Sequence, residues 1–298
     1  MQFRSRFVRL SQERQGELFI LAESFLWAWL PILTILTYSA LAPLWSLLLS
    51  TFIAACFFAV VLYRQNRLGE LFCRAAWQDL GWASFWIMML FVLYFAGLEH
   101  TTAGNAAVIL FMQVLFAFVY FNLFKKEPIA PIHLLGVALM SMGAVLILFP
   151  GRWEFNPGDW LVLLAAMSAP VANRYQQRAR RYVSAQTILF VRSALSLPLL
   201  WLLATAFSTQ PFAFGEALSV WPLILINGLV LMGASKIFWV EGLHRIALTK
   251  ASALTAVGPL FTLFFAWWVL GESPALLQWI GMVPILAGGI LITQKVAA

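Results

Sequence analysis

Apolar residues in this chain come in long unbroken runs, and polar residues gather in short gaps between them. Cutting at the gaps leaves ten runs of about 20 residues, the length that crosses a bilayer core as a helix. They cover 17–38, 41–62, 80–98, 103–124, 130–149, 159–175, 186–207, 220–241, 250–270 and 275–294. The runs are continuous rather than alternating, which excludes a transmembrane β-barrel. The pattern predicts an all-α polytopic membrane protein with ten transmembrane helices. A basic stretch (Arg4, Arg6, Arg9, Arg14) precedes the first run. That run is too long for a signal peptide and no small-residue cleavage site follows it, so it is expected to stay as the first span.

Composition agrees. Hydrophobic residues make up 62% of the chain and charged residues 10%, with a mean hydropathy of +0.87. A soluble domain carries about 25% charge, so a soluble globule is excluded, and disorder with it. The net charge of +7 alone would raise nucleic acid as a partner, but its distribution removes that reading. With the N-terminus in the cytoplasm, the gaps on that side hold 16 of the 19 lysines and arginines. The opposite gaps hold only Arg152, and Arg192 and Lys236 fall inside runs. This is the positive-inside asymmetry. It supports the count of ten, places both termini in the cytoplasm, and sets the basic gaps against an anionic leaflet. Cys56 in an apolar run and Cys73 in a basic gap offer neither a disulfide framework nor a multi-cysteine metal site.

The chain also repeats itself. Shifted by 145 residues, Gly97-Leu98 falls on Gly242-Leu243, Ala106 on Ala251, Leu115-Phe116 on Leu260-Phe261, Glu127 on Glu272, Gly136 on Gly281 and Gly143 on Gly288. A weaker match sets Gly16-Glu17 on Gly158-Asp159. Two five-helix copies are expected, at 17–150 and 158–294. Five is odd, so the second copy enters from the opposite side. Such inverted-topology repeats build many secondary transporters, with a site between the halves near the midplane. Gly136 and Gly143 share one helix face, as do Gly281 and Gly288, and both faces are read as close helix packing. In Gly271-Glu272-Ser273-Pro274, Ser273 suits an N-cap and Pro274 a first turn, with Glu272 near the positive end of the following helix. Glu127-Pro128 plays the matching part, and both glutamates are read as structural.

Each copy thus carries a Gly-Leu, a small-residue helix start (Ala103-Gly104-Asn105-Ala106-Ala107; Ala251-Ser252-Ala253), a Leu-Phe, a Glu in a short gap and a Gly-rich last helix. The second copy adds Gly258-Pro259 and Gly271-Glu272. From 17 to 294 the chain resembles the EamA family of the drug/metabolite transporter superfamily. The resemblance implies a ten-helix, two-repeat carrier with both termini inside, exporting amino acids or similar small metabolites. Some members of that family carry nucleoside-like or drug-like cations. The first copy departs from the pattern: Gln113-Val114 replaces Gly258-Pro259, and Lys126 replaces Gly271.

Charges inside spans are costly and mark function. Glu23, Arg192 and Lys236 each lie about six residues into a run from its cytoplasmic end, which places all three roughly 8–10 Å deep. One acid and two bases in one layer would suit a carboxylate or zwitterion, with Glu23 taking an amino group and the spare cation a carboxylate. Snorkelling of Arg192 and Lys236, or a plain salt bridge, is the alternative. Proton coupling through Glu23 is left open. Gln113 at mid-span and Ser168 beside Pro170 are polar candidates. Trp27, Tyr94 and Trp239 are aromatic ones, able to stack on a planar substrate or cation. The expected partners are a small-molecule substrate and the bilayer, with no nucleic acid and no cofactor, in a monomer or homodimer of a bacterial inner membrane. The rivals are a multidrug or organic-cation exporter, an intramembrane hydrolase using Ser235, and an inert scaffold. No histidine at membrane depth stands ready to activate Ser235.

Overall fold

The computed structural model describes residues 11–125, 131–148, 156–246, 251, 254–255, 257–274 and 276–293. Arg4, Arg6, Arg9, Lys126, Glu127, Pro128, Arg152, Lys250, Ser252, Ala253 and Lys295 lie outside them.

Ser11 caps the first helix by accepting a hydrogen bond from the Arg14 N–H. The helix therefore starts at Gln12, five residues ahead of the apolar run. The expected first span is two helices, α1 (Gln12–Trp27) and α2 (Leu30–Thr37). Pro31 is the cause: it donates no N–H and its ring clashes with the carbonyl four residues back, that of Trp27. The chain continues through α3 (Pro43–Arg64), a short 3₁₀ turn (Leu68–Phe72), α4 (Arg74–Leu98), α5 (Ala103–Phe111), α6 (Gln113–Lys125) and α7 (Pro131–Leu148). The second half holds α8 (Pro157–Ala179), α9 (Ala185–Phe207) and a surface helix α10 (Phe214–Ser219). Next comes a composite span: α11 (Trp221–Leu225), a π-helical segment (Ile226–Ala234) and α12 (Ser235–Arg245). The last helices are α13 (Gly258–Leu270) and α14 (Leu276–Thr293). The protein is a polytopic helical membrane protein of ten spans in two inverted five-helix repeats. Among the described residues, six helical stretches are long and apolar enough to cross a membrane, and three more are shorter apolar helices. The side on which α1 begins is called the near side below, and its opposite the far side.

Packing follows the repeat. α4 lies along α8 and α12 lies along α1, the same crossing made once in each orientation. α3 packs on its counterpart α9, and α7 on its counterpart α14. The glycines matched in the sequence sit at these crossings. A Cβ on Gly97 would meet the Gly158 carbonyl at 2.9 Å, at the far side. One on Gly242 would meet the Gly16 carbonyl at 3.3 Å, at the near side. Between α7 and α14, a Cβ on Gly136 would meet the Gly288 carbonyl at 2.8 Å, and one on Gly143 would collide with the Gly281 carbonyl. The small-residue faces thus let the backbones touch. The main core, with Leu47, Phe95, Ile109 and Met140 fully buried, runs between the repeats.

The span ends are tied by polar contacts. On the near side Glu70 accepts from the Ser184 N–H (2.6 Å) and the Thr187 hydroxyl (2.7 Å), fastening the 3₁₀ turn to the start of α9. Burial alone would raise the Glu70 carboxyl. The bonds from Ser184 and Thr187, with the Arg67 charge, outweigh it and hold Glu70 below the ordinary carboxylate range. Arg178 pairs with the buried Asp79 at 3.1 Å. On the far side Thr101 donates to Asp159, the Asn105 amide lies 3.4 Å from Asp159, and Gln278 donates to Asn105 at 2.6 Å. Glu272 caps a different helix from the one expected. Its carboxylate accepts from the N–H groups of Ala103 (3.2 Å) and Gly104 (3.4 Å), at the start of α5 in the other repeat.

Candidate functional site

Two of the three intramembrane charges meet. Lys236 Nζ stands 2.5 Å from Glu23 Oε1, joining α12 to α1 across the repeat interface. The Glu23 side chain is 5% exposed and that of Lys236 14%. The Lys236 ammonium also lies over the Trp27 ring, 3.2 Å from its centroid. It therefore has a carboxylate on one side and a π face on another. Both elements are irregular at this level. Trp27 is the last residue of α1 before the break, and Lys236 follows the π segment by two residues. Such π segments in helices concentrate at functional sites.

Positions along the helices are counted from helix ends that extend beyond the apolar runs. With α1 starting at Gln12 and α12 ending at Arg245, Glu23 stands roughly 17 Å and Lys236 roughly 14 Å along their helices from the near side. Arg192, seven residues into α9, stands at roughly 10 Å. The three charges are not one triad: Lys236 pairs with Glu23, and Arg192 turns to another partner. Arg192 is buried and donates to the Gln176 side chain at 3.2 Å, near the end of α8. The long guanidinium stem finds a neutral acceptor on its own side.

Trp27 has a second neighbour, Phe91 on α4, with ring centroids 6.1 Å apart and edge to face. Phe91 is the residue that the 145-residue shift places on Lys236. The Trp27 ring therefore sits between two repeat counterparts, one apolar and one cationic. The sequence reading passed over both Phe91 and Gln176. The shift itself could have found Phe91; nothing in the pattern singles out Gln176.

The other candidates stand apart from the pair. Tyr94 is buried in the main core with its ring 6.5 Å from that of Phe95. Trp239 packs in a near-side apolar cluster with Ile20, Ile246 and Ala251. Gln113 is half-buried and opens α6 after a turn at Met112 that divides the fourth span. Ser168 donates to the carbonyls of Leu164 and Ala165, both at 2.9 Å, so its hydroxyl is engaged within its own helix. α8 runs unbroken past Pro170. The Ser235 hydroxyl, fully buried, donates to Leu231 one turn back.

Ten spans in two inverted repeats, with an ion pair buried between them, are the architecture of a membrane transporter. The chain belongs to the EamA-like transporter family, whose model matches residues 14–149 and 156–294. It is 21% identical over 209 residues to an uncharacterized transporter of Synechocystis sp., a stretch covering 67% of this chain and 60% of that protein. It is 27% identical over 216 residues to an uncharacterized transporter of Archaeoglobus fulgidus, covering 70% of this chain and 73% of that one. A solved crystal structure at 18% identity matches the fold with a TM-score of 0.67, over 94% of this chain and 96% of its own.

Proposed function

We propose that this transporter exports amino acids or similar small zwitterionic metabolites from a bacterial cytoplasm, with the near side inside. The observation that carries the reading is the Lys236–Glu23 pair beside Trp27. The two side chains form an ammonium and a carboxylate held in contact, as in a zwitterion. A substrate carboxylate would take Lys236 while its amino group takes Glu23, so one internal pair is exchanged for two bridging ones. No buried charge is stranded during the exchange, and stranding is what makes breaking a buried pair costly. Arg192 adds positive charge on the same side and favours an anionic group there. An organic cation would compete with the fixed ammonium for the Trp27 face, which counts against a drug-cation exporter. The repeats at 17–150 and 158–294 would rock about the pair, opening it to each side in turn.

The test is a metabolite efflux profile from cells expressing wild type or Lys236→Met. A group of zwitterionic metabolites that rises in the medium with wild type, and not with the variant, is the expected result. Equal rises with both would remove Lys236 from the site. No rise with either would turn the search to imported or exogenous solutes. Proton coupling through Glu23 belongs to this reading, and pH-dependent export that survives Glu23→Gln would end it.

A further inference from the structure

A second polar cluster lies toward the far side, where α2, α3 and the π segment meet. Thr34 and Thr37 on α2, Ser46 and Ser50 on α3, and Asn227 in the π segment are each 0% exposed. The Thr37 hydroxyl donates to the Thr34 carbonyl at 2.6 Å and lies 2.6 Å from the Ser46 hydroxyl. The Asn227 side-chain amide donates to the Thr34 hydroxyl at 3.4 Å. Ser50 stands one turn from Ser46 on the same helix face. The backbones are in contact at this level, since a Cβ on Gly228 would meet the Ser50 carbonyl at 2.6 Å.

Two oxygens of this cluster have no hydrogen-bond partner among the described residues: Ser50 Oγ and Asn227 Oδ1. A fully buried oxygen without a partner is uncommon and calls for something to fill its place. Five neutral side-chain oxygens from three helices form a hard donor set. A divalent ion would ask for carboxylates, and a soft metal for sulfur or imidazole; the cluster has none of these. Coupling cations in carriers sit where helices are interrupted, and both irregular helices of this protein's site contribute here. α2 follows the break after Trp27, and Asn227 is the second residue of the π segment.

We propose that this cluster is a sodium site, with Ser50 Oγ and Asn227 Oδ1 as ligands and the hydroxyls of Thr34, Thr37 and Ser46 beside them. Asn227 stands at the start of the π segment and Lys236 two residues past its end. An ion at one end would bias the helix geometry that presents Lys236 at the other.

The test uses purified full-length protein in detergent and reads its melting temperature in NaCl, KCl and choline chloride at equal ionic strength. Wild type is expected to gain several degrees in NaCl over the other two salts, saturably with concentration. Ser50→Ala and Thr34→Val each remove one oxygen with little change of shape. Both are expected to weaken the apparent sodium affinity, Ser50→Ala tenfold or more while melting near wild type in choline chloride, and Thr34→Val with a lower melting temperature in every salt because it strands the Asn227 amide. Equal melting of wild type in all three salts overturns the proposal and leaves a buried water as the occupant. Equal gains in NaCl and KCl overturn the sodium assignment. A full NaCl gain kept by both variants moves the ion elsewhere. Should a variant not fold, binding of radioactive sodium to wild type, competed by unlabelled Na⁺ and not by K⁺, decides the matter. None of these readouts involves the transported solute, so failure here and failure of the export reading are separate results.

Discussion

Lys236 and Glu23 were legible because a charge within an apolar run is costly and stands out against its neighbours. That Lys236 rather than Arg192 would be the partner of Glu23 was not, since it depends on where α1 begins and on how α12 leaves the π segment. Asn227, Ser50 and Thr34 are uncharged and blend into their runs; full burial marks all three, and Ser50 Oγ and Asn227 Oδ1 stand out further as oxygens without a partner among the described residues. The ion pair makes a stability prediction independent of transport. Glu23→Gln or Lys236→Met alone leaves the other charge buried and unmatched, and each should cost on the order of 3–5 kcal/mol. The double variant removes both charges and should recover most of that loss, with export still abolished. Melting of the three purified variants checks this, and a double variant as unstable as the sum of the singles would contradict it.

At the scale of elements, apolar runs locate the spans well and conceal their interruptions. Pro31 breaks the first span at the residue that faces Lys236, and the π segment interrupts the eighth just before Lys236 itself. A proline is visible in the sequence; a π segment has no comparable sign. Glu272 shows the same limit. Its place before α14 implied a local role, and its carboxylate instead caps a helix 169 positions away in sequence. The glycine faces were legible, and their contacts have a stated cost. Gly143→Ala would drive a methyl group into the Gly281 carbonyl and should lose roughly 1–3 kcal/mol through overpacking. Gly81→Ala in α4 meets nothing within 4 Å and should be neutral, or slightly stabilising through helix propensity. Thermal melting of the two variants separates them. Glu70 gives an acid-limb prediction. Because its carboxyl is held below the ordinary range, its contribution is complete above about pH 4.3, the unperturbed value. It is lost as pH falls through the lowered native value. Glu70→Gln should flatten melting temperature against pH across that acid limb while changing little of its shape above it.

For the whole molecule, the inverted repeat was written in the 145-residue shift, and the paired crossings of α4 on α8 and α12 on α1 display it in space. Orientation rests on the distribution of basic residues. A cytoplasm-active reporter inserted after Asn66 on the near side should be active, and one after Thr209 on the far side inactive; the reverse pattern would invert the export direction proposed above. The position of Trp27 between two repeat counterparts has a further consequence. Lys236 and Phe91 occupy equivalent places in the two halves, so divergence of the copies has left one wall of the site ionic and the other aromatic. An amino acid held there would be fixed at its carboxylate, its ammonium and its side chain, by Lys236, Glu23 and the Trp27–Phe91 rings in turn. Three distinct attachments around one carbon atom cannot all be satisfied by a mirror image. On the export reading proposed above, handedness in the substrate would be a property that the unequal halves of the fold supply, and competition between L- and D-forms of one amino acid would measure it.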